Sequence, residues 1–123
     1  MAETVRAGGL EFFLENRSER ADEDGGPSLQ VLASVNGATV QLLRFDMFRM
    51  QPHYHYAPDG MNLRYSLDPL LVDDGISWAL GLISRKLPQL LVKAGYETLA
   101  MPATVSQVVV ALPEIERRWR AQC

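Results

Sequence analysis

The chain has 123 residues, 47% of them hydrophobic and 22% charged, with a net charge of −3. This is one domain's worth of chain with enough apolar residues for a core, which excludes a disordered polymer, and its slight acidity supplies no basic field for nucleic acid. A single cysteine, Cys123, excludes an internal disulfide and a cysteine-based zinc site, and no apolar run approaches the ~20 residues that span a bilayer.

Met1-Ala2-Glu3-Thr4-Val5-Arg6 lacks the apolar stretch of a signal peptide, so a cytoplasmic location is expected and Asn16-Arg17-Ser18 is read as an unused glycosylation sequon. Residues 1–9, ending in Gly8-Gly9, read as a flexible N-terminus. In Leu10-Glu11-Phe12-Phe13-Leu14-Glu15 the apolar Leu10, Phe12 and Leu14 alternate with Glu11 and Glu15, the pattern of a half-buried strand. Residues 16–28 hold Glu19, Asp22, Glu23 and Asp24 against Arg17 and Arg20, then Gly25-Gly26-Pro27; this reads as an acidic flexible loop without the spacing of a calcium-binding loop.

Asn36-Gly37 between two β-rich runs predicts a two-residue type I′ hairpin pairing Val35 with Ala38 and Ala33 with Val40. The apolar phase changes after Leu42. A β-bulge near Leu42-Leu43 would return Leu43, Phe45 and Met47 to the core side and turn Asp46 away from them. Pro52 has no ladder donor and marks a bend or an edge.

Residues 53–65 carry both histidines and three of the four tyrosines. Pro58-Asp59-Gly60 predicts a three-residue loop, with Ala57 facing Met61. His53 is then opposite Tyr65, Tyr54 opposite Arg64, His55 opposite Leu63, and Tyr56 opposite Asn62. On that register His53, His55, Met61, Leu63 and Tyr65 share a face toward the core or a cleft. Tyr54, Tyr56, Asn62 and Arg64 face outward, with Tyr54 and Arg64 stacked as a cation–π pair. A slip of one residue would exchange the two faces.

Beyond Asp73-Asp74, either of which can cap a helix, the period becomes helical: Ile76, Leu80, Ile83, Leu87, Leu90 or Leu91, and Ala94 form a stripe ending at Lys93 and Gly95. Pro88 should kink it. A second helix is expected from Thr104, where Thr104-Val105-Ser106-Gln107 spells a capping box, with Val105, Val108, Val109, Leu112, Ile115 and Trp119 inward and a bend at Pro113. Strands first and helices last predict a single α+β domain over 1–123. It would be a mostly antiparallel four- to five-stranded sheet with two proline-kinked helices packed on one face.

The chemistry-bearing feature is His53-x-His55. Two imidazoles two apart on a strand aim to one side, as a shared divalent metal such as zinc requires, and Asp46, Asp59, Asp68, Asp73 and Asp74 are candidate third ligands. A small-molecule pocket would use His53, His55, Tyr65 and Arg64. Tyr54, Tyr56 and Trp78 are the candidate partner-binding residues. Cys123 is a poor nucleophile at a terminus, and Arg117, Arg118 and Arg120 complement a helix dipole rather than form a nucleic-acid patch. No nucleophile elbow, P-loop or dinucleotide fingerprint is present. The leading expectation is therefore a small homodimeric binding or interaction module with no cofactor and no nucleic-acid or membrane partner. The competing expectation is a small-molecule-binding or metal-dependent enzyme domain centred on His53 and His55.

Overall fold

Six strands, each antiparallel to its neighbour in the chain, form one sheet in the order β1-β2-β3-β4-β5-β6, and two helices follow. The computed structural model describes residues 2–17 and 24–123. The strands are β1 (Ala2–Ala7), β2 (Leu10–Arg17), β3 (Gly26–Val35), β4 (Ala38–Asp46), β5 (His53–Tyr56) and β6 (Leu63–Ser66); the helices are α1 (Gly75–Lys93) and α2 (Pro102–Ala121). The expected α+β class holds, with six strands rather than four or five.

The added strand lies in the segment expected to be flexible. Ala2–Ala7 pairs with β2 from Ala2↔Glu15 to Ala7↔Leu10, across Gly8-Gly9. Both glycines have positive φ, +61° and +79°, which a tight two-residue turn between twisted strands requires. The expected acidic loop is also shorter than 16–28, because Asn16 and Arg17 close β2 and Gly26–Ser28 open β3. Its residues 18–23 lie outside the described residues.

The β3–β4 hairpin follows its turn chemistry. Asn36 and Gly37 take φ of 51° and 80°, and Val35 pairs with Ala38. The register then shifts between Val31 and Leu32, leaving Leu42 as the extra residue of a bulge, so that Leu29 meets Phe45 and Ser28 meets Asp46. Leu42, Leu43 and Phe45 are fully buried.

The helices cover one face of the sheet. Phe12, Leu14, Leu29, Val31 and Phe45 join Ile83, Leu87, Leu91, Ile115 and Trp119 in one core. Asp74 caps α1 by accepting from the Ser77 amide, and the backbone leaves helical geometry at Lys86, two residues before Pro88, as a proline-induced kink should. The start of α2 differs from expectation. Met101 is its N-cap, with no side-chain hydrogen bond, and Pro102 opens the first turn, where a missing N–H costs nothing. The Thr104 capping box is not formed, and the helix continues through Pro113. Val109, expected inward, is 41% exposed, while Val108, Ile115 and Trp119 are buried. No described helix is long and apolar enough to cross a membrane.

Trp119 is the largest fully buried side chain, and its indole Nε1 donates to the Glu15 carbonyl at 3.2 Å, joining α2 to β2. Trp119→Ala should lower unfolding stability by about 3–5 kcal/mol, and Trp119→Phe by visibly less. Urea titration followed by circular dichroism measures both; an alanine variant within 1 kcal/mol of the parent would contradict this packing.

Candidate metal centre on the outer face of the sheet

The β5–β6 ribbon is out of step with the expected register by one residue. His53 faces Ser66, Tyr54 faces Tyr65, His55 faces Arg64, and Tyr56 faces Leu63. The connection is six residues, 57–62, rather than the three of Pro58-Asp59-Gly60. It is entered and left in left-handed conformation at Ala57 (φ 48°) and Asn62 (φ 50°), and the amides of Gly60 and Asn62 both donate to the Ala57 carbonyl. Because strand side chains alternate, the slip exchanges the faces.

Tyr54, Tyr56, Leu63 and Tyr65 therefore share the helix side. Tyr56 is 5% exposed, and Tyr54 stacks on Phe45 and contacts Trp78 at 5.7 Å between centroids, so Trp78 is half-buried. These three residues thus pack inward and do not form the outer anchor surface expected of them. The predicted Tyr54–Arg64 stack is replaced by Lys93, whose Nζ lies 4.9 Å and 4.7 Å from the ring centroids of Tyr56 and Tyr65. Tyr65 leaves the histidine face, and Arg64 joins it. The imidazoles look away from the core, yet His53 is only 6% exposed because the outer face carries a polar cluster of its own.

Its centre is Asp46, 2% exposed and directly opposite His53. Ser28 donates to Asp46 Oδ1 at 2.7 Å, and Arg44 Nε lies 3.2 Å and 3.1 Å from the two oxygens. His53 Nε2 stands 3.2 Å from Oδ2 and His55 Nε2 stands 3.9 Å from the same oxygen. One ligand atom from each of Asp46, His53 and His55 lies within 4.8 Å of the other two. Of the five aspartates open as third ligand, this structure brings Asp46 to the histidines.

The far nitrogens define what the near ones offer. His53 Nδ1 is 2.8 Å from the Gln51 carbonyl oxygen, which only accepts, so Nδ1 carries a proton. His55 Nδ1 is 2.8 Å from Asn62 Oδ1, with the same consequence. With Nδ1 so engaged, each Nε2 faces the carboxylate either with a second proton, as in a His53 hydrogen bond to Asp46, or with a lone pair that a cation would share, and this is how proteins orient histidine ligands to metals.

Burial pushes the Asp46 pKa up, but the hydrogen bonds from His53 and Ser28 and the charge and hydrogen bond of Arg44 outweigh it, so the carboxyl lies well below its usual range. Burial is also the main influence on His55 and lowers its pKa. The Asn62 hydrogen bond opposes this, and His53 adds to the lowering. His55 is thereby held toward its neutral, metal-ligating form.

Beside these residues opens a cavity of about 490 Å³, walled also by Arg17, Asp24, Gln41, Phe48, Gln51, Pro58, Asp59, Asn62 and Arg64. Two of its acids serve the backbone. Asp24 accepts from the amides of Gly25, Met50 and Gln51, and Asp59 accepts from the amide and side chain of Gln41. Sequence reasoning missed Ser28, Arg44, Asp24, Gln51 and Asn62. A signal existed in part: Arg44-x-Asp46 and His53-x-His55 are both period-two pairs flanking one bend, as residues sharing one face of a hairpin must be.

The chain belongs to the family Domain of unknown function (DUF7700), whose model matches residues 4–119. No curated protein and no solved structure matches it.

The folded Asp46 pKa lies below the unfolded value, so its stabilisation is complete above about pH 4 and is lost as pH falls through that value toward the folded pKa. Asp46→Asn should cost about 3 kcal/mol at pH 7. The gap from the parent should narrow steadily on acidification from pH 4.5 to 2.5, as urea titrations at each pH would show; a pH-independent gap would contradict the assigned ionisation.

Proposed function

We propose that this chain is a metal-dependent, small-molecule-binding domain in which Asp46, His53 and His55 hold one divalent cation whose remaining positions open to the adjoining cavity. The observation that carries this reading is the convergence of two imidazole Nε2 atoms on one buried carboxylate oxygen, each ring having its Nδ1 hydrogen bonded to an oxygen. A protonated His53 donating to Asp46 would account for the 3.2 Å contact alone. It leaves His55 unexplained: its Nε2, at 3.9 Å, is beyond hydrogen-bond reach, and burial favours its neutral form.

Two imidazoles and one carboxylate suit a borderline first-row metal, zinc(II) or iron(II), better than magnesium or calcium, which prefer all-oxygen sets. Three protein ligands leave positions for water or a ligand, and a metal there would act as a Lewis acid or activate bound water. The chain's own contribution is positional. Ser28 and Arg44 hold the carboxylate, and Gln51 and Asn62 set the ring rotations. One cysteine in the chain fits a reducing compartment, and a cytoplasmic setting is part of this reading.

Protein purified without a histidine tag should contain close to one equivalent of zinc or iron by elemental analysis. Removing the metal with a chelator should lower Tm, and His53→Ala or His55→Ala should cut metal affinity by at least tenfold. Metal-free protein with an unchanged Tm, and no binding in titration calorimetry, would end this reading.

A second reading, self-association, is favoured by a different observation. β6 is an edge strand, and Leu70 and Leu71 in the short turn after it are 85% and 78% exposed. A homodimer would use this edge rather than the buried tyrosines. Sedimentation should then give a dimer that Leu70→Asp combined with Leu71→Asp converts to a monomer; a monomeric parent at high concentration refutes it.

A further inference from the structure

The cavity beside the imidazoles is too large for a lone water or inorganic ion. At about 490 Å³ it falls in the size range of small-molecule sites. Among the described residues of its wall, three arginines, Arg17, Arg44 and Arg64, balance three aspartates, Asp24, Asp46 and Asp59. A divalent cation on Asp46, His53 and His55 would therefore add two positive charges to a wall whose described side chains are otherwise balanced.

The arginines are not equivalent. Arg44 is committed to Asp46. Arg17 lies over the Phe48 ring at 5.8 Å, with Nε 4.0 Å from Glu15. Arg64 lines the cavity and stands directly across the ladder from His55, and its side chain has no ion pair or hydrogen bond among the described residues. A planar guanidinium beside a metal ligand, with its donors uncommitted, is suited to a carboxylate in two-point contact. Phe48 and Pro58 add apolar wall, which suits a carbon body over a bare inorganic anion.

We infer that the ligand of this site is a small organic acid, its carboxylate held by Arg64 and its other polar end completing the coordination of the metal. This rests on the metal reading above. Two observations then point to one ligand class: a charge surplus that appears only with the metal, and a cavity arginine without a carboxylate of its own.

Cobalt(II) in place of the native metal makes the coordination sphere visible as absorption bands. Titrating succinate into cobalt-loaded protein should shift those bands. Arg64→Gln should weaken succinate by about tenfold to a hundredfold while leaving cobalt affinity unchanged, and Arg64→Lys should recover part of the loss. Failure to bind cobalt overturns both the metal reading and this one. Cobalt bound, with bands unmoved by succinate, overturns this inference alone. Equal succinate affinity in Arg64→Gln, or inorganic phosphate binding more tightly than succinate, also overturns it.

Discussion

Everything distinctive on the outer face follows from how β5 is seated against β4, with Phe45 opposite Tyr54 and Asp46 opposite His53. The helix side supplies most of the energy for this seating. Phe45 and Tyr54 stack at 5.8 Å and 11° between planes, Tyr54 meets Trp78, and Tyr56 is buried beneath Lys93. Burying side chains of this size contributes about 1.5–3 kcal/mol each, more than hydrogen bonds on the opposite face could recover if the strand slipped. Once the tyrosines are placed, alternation leaves the histidines no choice of side. The aromatic residues on the helix side thus set the address of the polar cluster on the opposite face.

The cluster in turn meets the demands of a buried charge. Asp46 has partners on both oxygens from three elements: Ser28 on β3, Arg44 on its own strand and His53 on β5. A carboxylate removed from water at this depth is costly unless so supplied, and the supply immobilises it. Asp24 does comparable work one step out, accepting from the amides of Met50 and Gln51 and so fixing the segment whose carbonyl turns His53. Burial opposes ionisation of Asp24 too, and the three backbone donors reverse this, leaving its pKa below the ordinary value.

What could be read from the letters tracks where local chemistry decides alone. Asn36-Gly37 demands positive φ at both positions, and few structures other than a tight hairpin satisfy it, so β3 and β4 were legible together with their bulge. The α1 stripe, a cap at Asp73 or Asp74 (the structure takes Asp74) and a kink at Pro88 were legible for the same reason. Pro58-Asp59-Gly60 misled because the left-handed positions fall at Ala57 and Asn62, outside the triplet, where the Leu42 carbonyl accepts from the Ala57 amide. Tertiary contact chose that loop, and its three extra residues reversed the reading of which side chains share a face. The pairing of His53 with His55 survived because residues two apart share a side in any register. Tyr65 and Arg64, one apart across the slip, changed places. At the N-terminus, Gly8-Gly9 carried a hairpin signal that weak alternation in Ala2–Ala7 obscured.

The unpaired Leu42 has a further consequence for how this chain tolerates change in length. From Asn36-Gly37 to Asp46 the strand is counted in single residues, and the bulge is the one place where the count is reset. Taking that residue into the ladder opposite Val31 would invert Leu43 through Asp46. Phe45 would be sent toward water and the carboxylate into an oily interior with no donor waiting. Removing Leu42 itself would instead leave a plain ladder with Val31 still opposite Leu43 and Ser28 still opposite Asp46, so the side on which the carboxylate lies depends on the surplus residue staying outside the ladder.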